Sequence, residues 1–491
     1  MQALIVYGWD MKLQIVWYTL GVLVAVVGLA EMVPAIVDWR LGHENARDFF
    51  LNGILCLFFG GSLILSHRVR DRQVNARQMF LMALSGWLVV SVFCAMPLYM
   101  SDLGLSFVEA LFEAVSGVTT TGATVLSNLD EVSRGVLLWR SMMQWAGGLG
   151  IIAFAVVLLP YLKVGGMQLF RSESSGHSDK VVARSTQFLE GLLKVYIAMT
   201  LVCAGVYYLL GMSGFDAFNH AMTTLSTGGF STHDASFGYF EDPALQYAAV
   251  FFMILGALPF VLYLRLIYQR RVLFFRDEQV RMLMLCLCLA VFFLTLWLWA
   301  VTSYTLEVSF RMIVFSVSSI MSTTGYTVAD YTLWGGFTTL AFLLMMYVGG
   351  CAGSTAGGMK VMRMVISAKV VARQFRTLLY PNGVFVLNYQ GRRLDSYTVL
   401  TVLGFLSLYV GANVLMTVAL ALTGLDFETS MSAAAAALAN VGPGIGEQIG
   451  PAGNYADLSD MAKWILCAGM IAGRLEILTI LVLFSPSYWR A

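Results

Sequence analysis

The sequence predicts an all-α polytopic membrane protein: four parallel span–pore helix–span repeats around a pseudo-fourfold pore, plus two extra N-terminal spans. Three observations predict it. The 491 residues are 58% AVILMFWYC and 12% charged, with a mean hydropathy of +0.75; an average soluble chain is about 25% charged. Apolar stretches of about 20 residues, enough to cross a bilayer, recur from end to end. A small-residue segment, three times built on Thr-Gly, returns four times, each time behind a short apolar stretch. Length alone would suggest about three soluble domains. The composition overrides that and excludes a soluble enzyme, a disordered chain and a nucleic-acid binder. A net charge of +1 gives no field that recruits polyanions.

The first apolar stretch, 13–37, exceeds the core of about 7–15 residues of a signal peptide, and no small-residue cleavage site follows it. With the stretch 49–66 it forms an extra N-terminal pair within 1–75. The first repeat, 76–163, contains the span 78–100, a short helix at 106–118 and the span 136–162. The second, 164–270, contains 187–211, 215–226 and 244–268. The third, 271–378, contains 281–302, 309–322 and 335–374, the last broken in its middle. The fourth, 379–491, contains 396–423, 427–440 and 460–485. The short stretches cannot cross a bilayer and read as re-entrant or buried helices.

Charge sets the orientation. Lys12, the Arg68–Arg77 loop, the loop from Lys163 to Lys194, the loop from Arg265 to Arg281, the stretch from Lys360 to Arg393, and Arg490 hold most of the 30 basic residues. All fall on one side of the ten-span arrangement, which the positive-inside rule makes cytoplasmic. Both termini are therefore expected inside, and the short helices enter from outside. The seven cysteines are scattered and odd in number, and read as small buried hydrophobes. The five histidines have no metal-ligand spacing. Neither a metal centre nor a nucleophilic triad is expected.

The four small-residue segments are Thr119-Thr120-Thr121-Gly122-Ala123-Thr124, Leu225-Ser226-Thr227-Gly228-Gly229-Phe230, Ser322-Thr323-Thr324-Gly325-Tyr326-Thr327 and Ala439-Asn440-Val441-Gly442-Pro443-Gly444. They align on Gly122, Gly228, Gly325 and Gly442. Phe107, Phe310 and Phe427 stand at one common distance upstream, with Phe215 out of register in the second copy. Parallel units imply one pore on their common axis. A helix that descends halfway and stops aims a C-terminal end of about −0.5 charge at the membrane centre; four such ends favour a cation. The carbonyls of Thr120, Thr121 and Gly122, Ser226, Thr227 and Gly228, Thr323, Thr324 and Gly325, and Asn440, Val441 and Gly442 then form a cage that replaces an ion's water shell. None of the segments carries a charge, which disfavours a filter for divalent ions. An uncharged carbonyl cage suits a large, easily dehydrated monovalent ion, K⁺ first. K⁺ is the cargo; no organic cofactor on this chain is expected. Alternatively, the glycines are turn residues of external hairpins.

At these residues the chain resembles the Trk/Ktr/HKT superfamily of potassium transporters, nearest to bacterial TrkH/TrkG-type pore subunits. Ser226-Thr227-Gly228-Gly229-Phe230-Ser231-Thr232-His233-Asp234, Asn440-Val441-Gly442-Pro443-Gly444, the glycine-rich stretch from Gly349 to Lys360 and Gly473-Arg474-Leu475-Glu476 carry the likeness. It covers essentially the whole chain, the two extra spans included. The resemblance implies a homodimer in the bacterial inner membrane with one pore per subunit, and a cytosolic RCK-domain regulator that binds the nucleotide. Gly122, where a serine goes with sodium permeation in that superfamily, implies K⁺ preference.

Five glycines within 349–358 interrupt the eighth of the long spans, where each costs about 1 kcal/mol relative to Ala in a helix. The stretch lacks Gly-Lys-Ser/Thr, which argues against a phosphate-binding loop. It is a passive kink, or, as the resemblance implies, an intramembrane gate beneath the filter formed by Gly350, Gly353, Ser354, Thr355, Gly357 and Gly358. Arg474 within the last span requires a partner or a cavity. It is a structural ion pair or carbonyl clamp, or, as the resemblance implies, a fixed positive charge in the pore. Glu109, Glu113, Asp216, Glu307, Asp426 and Glu428, near the starts of the short helices, complement the helix dipoles or line a cation-collecting vestibule. Glu31, in the first span, lies outside the four-unit pore. Gly147, Gly148 and Gly150 permit close helix packing. The predicted function is gated K⁺ uptake, with K⁺/H⁺ or K⁺/Na⁺ symport as the alternative.

Overall fold

The computed structural model describes residues 13–67, 74–154, 178–270 and 274–490. Lys12, Arg68, Arg70, Arg72, Lys163 and Arg171 of the basic loops, and the end of the span predicted over 136–162, lie outside the described residues. The N-terminal pair is α1 (Gln14–Leu41) and α2 (Asn45–Ser66). The repeats follow as α3 (Ala76–Met100), α4 (Phe107–Val118) and α5 (Arg134–Ala153); α6 (Ser178–Leu209), α7 (Gly214–Leu225), α8 (Pro243–Ala257) and α9 (Phe260–Gln269); α10 (Glu278–Val301), α11 (Leu306–Met321), α12 (Gly336–Met346) and α13 (Val361–Leu379); and α14 (Ser396–Ala421), α15 (Phe427–Ala439), α16 (Asp460–Arg474) and α17 (Ile477–Phe484), with the short α18 (Pro486–Arg490) last. A hairpin of β1 (Asn388–Tyr389) and β2 (Arg392–Arg393) joins the third repeat to the fourth.

The packing is cyclic. Each first span packs on its own short helix: α3 on α4, α6 on α7, α10 on α11, α14 on α15. Each second span also packs on the short helix of the next unit: α5 on α7, α8 on α11, α12 on α15, and α16 back on α4. That last contact closes the ring and makes the fourfold arrangement predicted from the repeats. The four short helices start the same way, with a side-chain oxygen accepting from a first-turn N–H. The caps are Ser106, Ser213, Thr305 and Asp426, each worth about 1 kcal/mol relative to Ala. Ser106 and Glu109 form a reciprocal capping box.

The N-terminal pair lies outside this ring but is fastened to it. Asp38 at the end of α1 accepts from Ser133 Oγ at 2.8 Å and from Gly135 N at 2.6 Å, at the start of α5. Glu31 is fully buried, and both of its carboxylate oxygens accept from Asn52 Nδ2 at 2.9 Å. It belongs to the contact between α1 and α2, away from the central axis.

All ten predicted spans have a counterpart, but three of them, not one, are broken among the described residues. The span predicted over 244–268 bends by 89° between α8 and α9, and that over 460–485 by 106° between α16 and α17. Pro259 explains the first: it has no N–H to give and begins a new helix, while Phe260 N donates to Gly353 O at 2.9 Å, outside its own segment. At the second break Glu476 adopts φ 62°, a left-handed conformation that ends a right-handed helix. Arg474 is therefore at a break, not within a continuous span.

Candidate functional site

The four segments after the short helices share one backbone conformation. Thr120, Thr227, Thr323 and Asn440 have φ between 51° and 57°, and two residues on Gly122, Gly229, Gly325 and Gly442 have φ between 77° and 102°. The hydrogen bonds repeat as well. Thr121 N donates to Ser116 O, Gly228 N to Thr223 O, Thr324 N to Ser319 O and Val441 N to Ala436 O, at 2.8 to 3.0 Å. This corrects the register in the second repeat by one residue. Gly229, not Gly228, is the counterpart of Gly122; Gly228 matches Thr121, and Ser226 matches Thr119.

In this register the segments close into a ring. A Cβ built on Gly122 would lie 2.1 Å from Gly228 O, one on Gly229 1.9 Å from Thr324 O, one on Gly325 2.0 Å from Val441 O and one on Gly442 2.7 Å from Thr121 O. Each glycine thus lies against the preceding carbonyl of the next unit, in the order one, two, three, four, one. No side chain fits there, and non-helical backbone at this depth survives because protein surrounds it. Thr120, Thr121, Thr227, Thr323, Thr324, Asn440 and Val441 are all buried. Thr120 Oγ1 has no hydrogen-bond partner among the described residues.

Side chains behind the ring hold it. Tyr326, following Gly325, hydrogen-bonds through its hydroxyl to Thr223 and donates to His220 O of α7 at 3.2 Å. Tyr455 donates from its hydroxyl to Gly442 O at 2.8 Å and from its backbone to Thr124 O at 2.9 Å, joining the fourth segment to the first. Asn440 Nδ2 donates to Thr121 Oγ1 at 2.9 Å. Above the ring opens a cavity lined by Gly122, Gly229, Gly325 and Gly442 together with Arg140, His233 and Asp234.

The acidic residues divide into two kinds. Glu109, Asp216, Asp426 and Glu428 sit in caps or first turns. Glu113 does not: it is fully buried and takes Arg140 Nε at 2.7 Å, Thr124 Oγ1 at 3.0 Å and Val125 N at 3.0 Å. Arg140 continues to Ser231 O at 2.9 Å and stacks over Phe230, so this pair links the outer ends of the first and second segments. On the side where the short helices begin, His233 is hydrogen-bonded to Asp130, faces Asp216 at 3.6 Å and stacks flat on Tyr239. Partial burial lowers the affinity of His233 for its proton, but hydrogen bonds to Asp216 and Asp130 outweigh this and raise its pKa. For Asp216 the balance is reversed: burial would raise its pKa, yet bonds from His233, Ser213 and Thr232 hold it below the usual carboxylate range.

Below the ring lies the interruption of the third repeat. Residues 347–360 leave α12 and return to α13 as a loop whose ends touch: a Cβ on Gly349 would lie 2.3 Å from Gly357 O, and one on Gly358 2.6 Å from Gly349 Cα. The loop is pinned against the inner ends of the short helices. Thr355 Oγ1 lies 3.1 Å from Leu225 O and 3.0 Å from Gly256 O; Gly357 N donates to Thr323 Oγ1 at 2.6 Å; Gly358 N donates to Ala439 O at 2.9 Å. Gly350 O accepts from Val361 N at 3.1 Å, Gly353 O from Phe260 N at 2.9 Å, and Ser354 Oγ donates to Cys351 O at 2.7 Å. Gln279 Oε1, from the first turn of α10, accepts from Ala352 N at 2.8 Å.

Beside the loop stands a group of charges. Lys360 donates to Ala356 O and lies within electrostatic range of Arg474, Glu476 and Arg363. Arg474 is buried, and its Nε and Nη2 have no hydrogen-bond partner among the described residues. The ion pair weighed for it from sequence is not formed among the described residues: Glu476 instead accepts from Arg363 Nη2 at 2.6 Å, with Arg363 stacked over Phe405. Sequence reasoning missed Gln144, Arg140, Gln279 and Arg363 as participants. Their signal was available, since each is a long polar side chain in or beside an apolar segment.

Comparison with known proteins gives consistent matches. Residues 45–491 match a family model named TrkH and described as a cation transport protein. The chain is 42% identical over 477 residues to the Trk system potassium uptake protein TrkI of Halomonas elongata, covering 96% of each. It is 34% identical over 475 residues to the Trk system potassium uptake protein TrkH of Escherichia coli K12, covering 96% of this chain and 98% of that one. The crystal structure of the potassium transporter TrkH from Vibrio parahaemolyticus superposes with a TM-score of 0.91 at 33% identity, over 98% of this chain and 100% of that chain.

Proposed function

The chain belongs to the TrkH family of cation transport proteins, and we propose that it takes up K⁺ through a carbonyl-lined filter closed from below by an intramembrane gate. The observation that carries this reading is the closed ring in which Gly122, Gly229, Gly325 and Gly442 each lie against a carbonyl of the next unit. Uncharged carbonyls in a fixed ring replace the hydration of a monovalent ion. The short helices direct the negative ends of their dipoles to the same place. The potassium uptake named for its relatives agrees with that chemistry.

The gate is the loop 347–360. It reaches Leu225 O, Thr323 Oγ1 and Ala439 O at the inner side of the filter, where it stands in the way of an ion leaving inward. Arg474 and Lys360 put positive charge beside it and oppose a cation while the loop is in place. The working assembly is a homodimer in the bacterial inner membrane with both termini cytoplasmic, moved between states by a cytosolic RCK-domain partner.

The test is rubidium uptake into K⁺-loaded liposomes by the purified chain, with no pH gradient and with Na⁺ or K⁺ as competitor. Uptake driven by the K⁺ gradient and blocked by K⁺ more than by Na⁺ is the expected result. Uptake only after a proton or sodium gradient is imposed would overturn the passive pore in favour of symport.

A further inference from the structure

The second spans offer a fixed point for comparing units. A glycine in three of the four packs near a carbonyl at the end of the short helix of its own unit: Gly147 near Val118 O, Gly256 near Leu225 O and Gly473 near Leu438 O, with Cβ distances of 1.9, 3.2 and 2.1 Å. Three residues earlier stand Gln144, Met253 and Met470, all buried. Two units therefore carry a methionine where the first carries an amide. A buried amide is unfavourable unless its donors and acceptor are bonded.

The amide of Gln144 is bonded to the filter of the neighbouring unit. Its Nε2 donates to Gly228 O at 2.7 Å and its Oε1 accepts from Phe230 N at 3.0 Å. Gly228 has no room for anything larger, since a Cβ there would lie 2.4 Å from Gln144 Cδ. Gly228 O is also the ring carbonyl that faces Gly122. Its counterparts, the carbonyls of Thr121, Thr324 and Val441, receive no hydrogen bond among the described residues. One carbonyl of the four is thus tethered from outside the ring.

Resting on the K⁺ pore proposed above, we infer that Gln144 is a specificity-determining positioning residue that acts through the Gly228 carbonyl. A tethered carbonyl cannot swing inward to meet an ion smaller than K⁺. A carbonyl already accepting an N–H also presents a weaker field to the ion. Cavity size and carbonyl field strength are the two accounts of filter selectivity, and both give the same sign: the tether disfavours Na⁺.

The experiment uses full-length protein in liposomes and compares the K⁺ and Na⁺ concentrations that halve rubidium uptake. Gln144→Met installs the residue of the equivalent positions at nearly unchanged volume. The expected result is a K⁺-over-Na⁺ preference reduced about fivefold, the factor that corresponds to one buried hydrogen bond of about 1 kcal/mol, in a variant that elutes as the wild type does. A merely structural role would move the melting temperature and leave the ratio alone. If Gln144→Met does not fold, Gln144→Asn, one CH2 too short to span both bonds, is read in the same way. An unchanged ratio in either folded variant overturns the inference alone. A wild-type protein that does not prefer K⁺ overturns the pore reading, and this inference with it.

Discussion

Gly229 lies against the carbonyl oxygen of Thr324, so close that a Cβ on Gly229 would stand 1.9 Å from it. Gly229 also has φ 77°, which costs a residue with a side chain about 1–2 kcal/mol. Gly229→Ala is therefore expected to displace backbone of the third unit and to lose K⁺ preference, as Gly122→Ala should. Competition of K⁺ and Na⁺ for rubidium uptake measures this. A Gly229→Ala protein with wild-type preference would contradict the register.

Thr355 fastens the loop at Leu225 O and Gly256 O. Thr355→Val keeps the shape and removes the hydroxyl, weakening the closed state by about 1–2 kcal/mol. Where closing dominates, that raises the open population about 5- to 30-fold. Rubidium flux without the partner should rise accordingly, and Gln279→Leu, which removes the acceptor for Ala352 N, should act in the same direction. Unchanged flux in both would remove the loop from gating.

Much of this was legible in the sequence, for identifiable reasons. Hydropathy marks every span, and the small-residue segments mark the ring of four turns behind the short helices, because both depend on residue type at short range. The register of the second repeat was not legible: Gly228 and Gly229 are adjacent, and only the backbone bonds of Gly228 N to Thr223 O and of Thr121 N to Ser116 O distinguish them. The bends at Pro259 and Glu476 were hidden because apolar residues continue through both. The partner of Glu476 was equally hidden, since Arg363 lies 113 positions away in the chain.

Arg474 and Arg363 should respond oppositely to removal. Arg363→Met strands the Glu476 carboxylate in a buried site, and breaking such a pair costs about 3–5 kcal/mol; the melting temperature of the purified protein should fall. Arg474→Met removes a charge with two nitrogens that have no hydrogen-bond partner among the described residues and should leave the melting temperature unchanged or higher while raising K⁺ flux. Lower stability without higher flux for Arg474→Met would make that arginine structural.

His233 gives the face where the short helices begin a pH dependence of definite sign. Its pKa is raised from 6.5 in the folded protein. Its stabilising contribution is thus complete below that ordinary value and is lost as pH rises through the raised one. Asp216, whose pKa is lowered, contributes fully above the ordinary carboxylate range and loses its contribution as pH falls through its lowered value. Between these limits the contact is intact. Melting temperatures should therefore drop more steeply for the wild type than for His233→Gln as pH goes from 6 to 9; parallel curves would contradict the assignment.

The most direct test of the central claim is to see where a heavy congener of K⁺ binds. Crystals grown in rubidium, measured at its absorption edge, should show an anomalous peak on the axis ringed by the carbonyls of Thr121, Gly228, Thr324 and Val441, and no comparable peak elsewhere along the span region. A strong peak away from that ring, with none inside it, would contradict the account of these four segments as one filter.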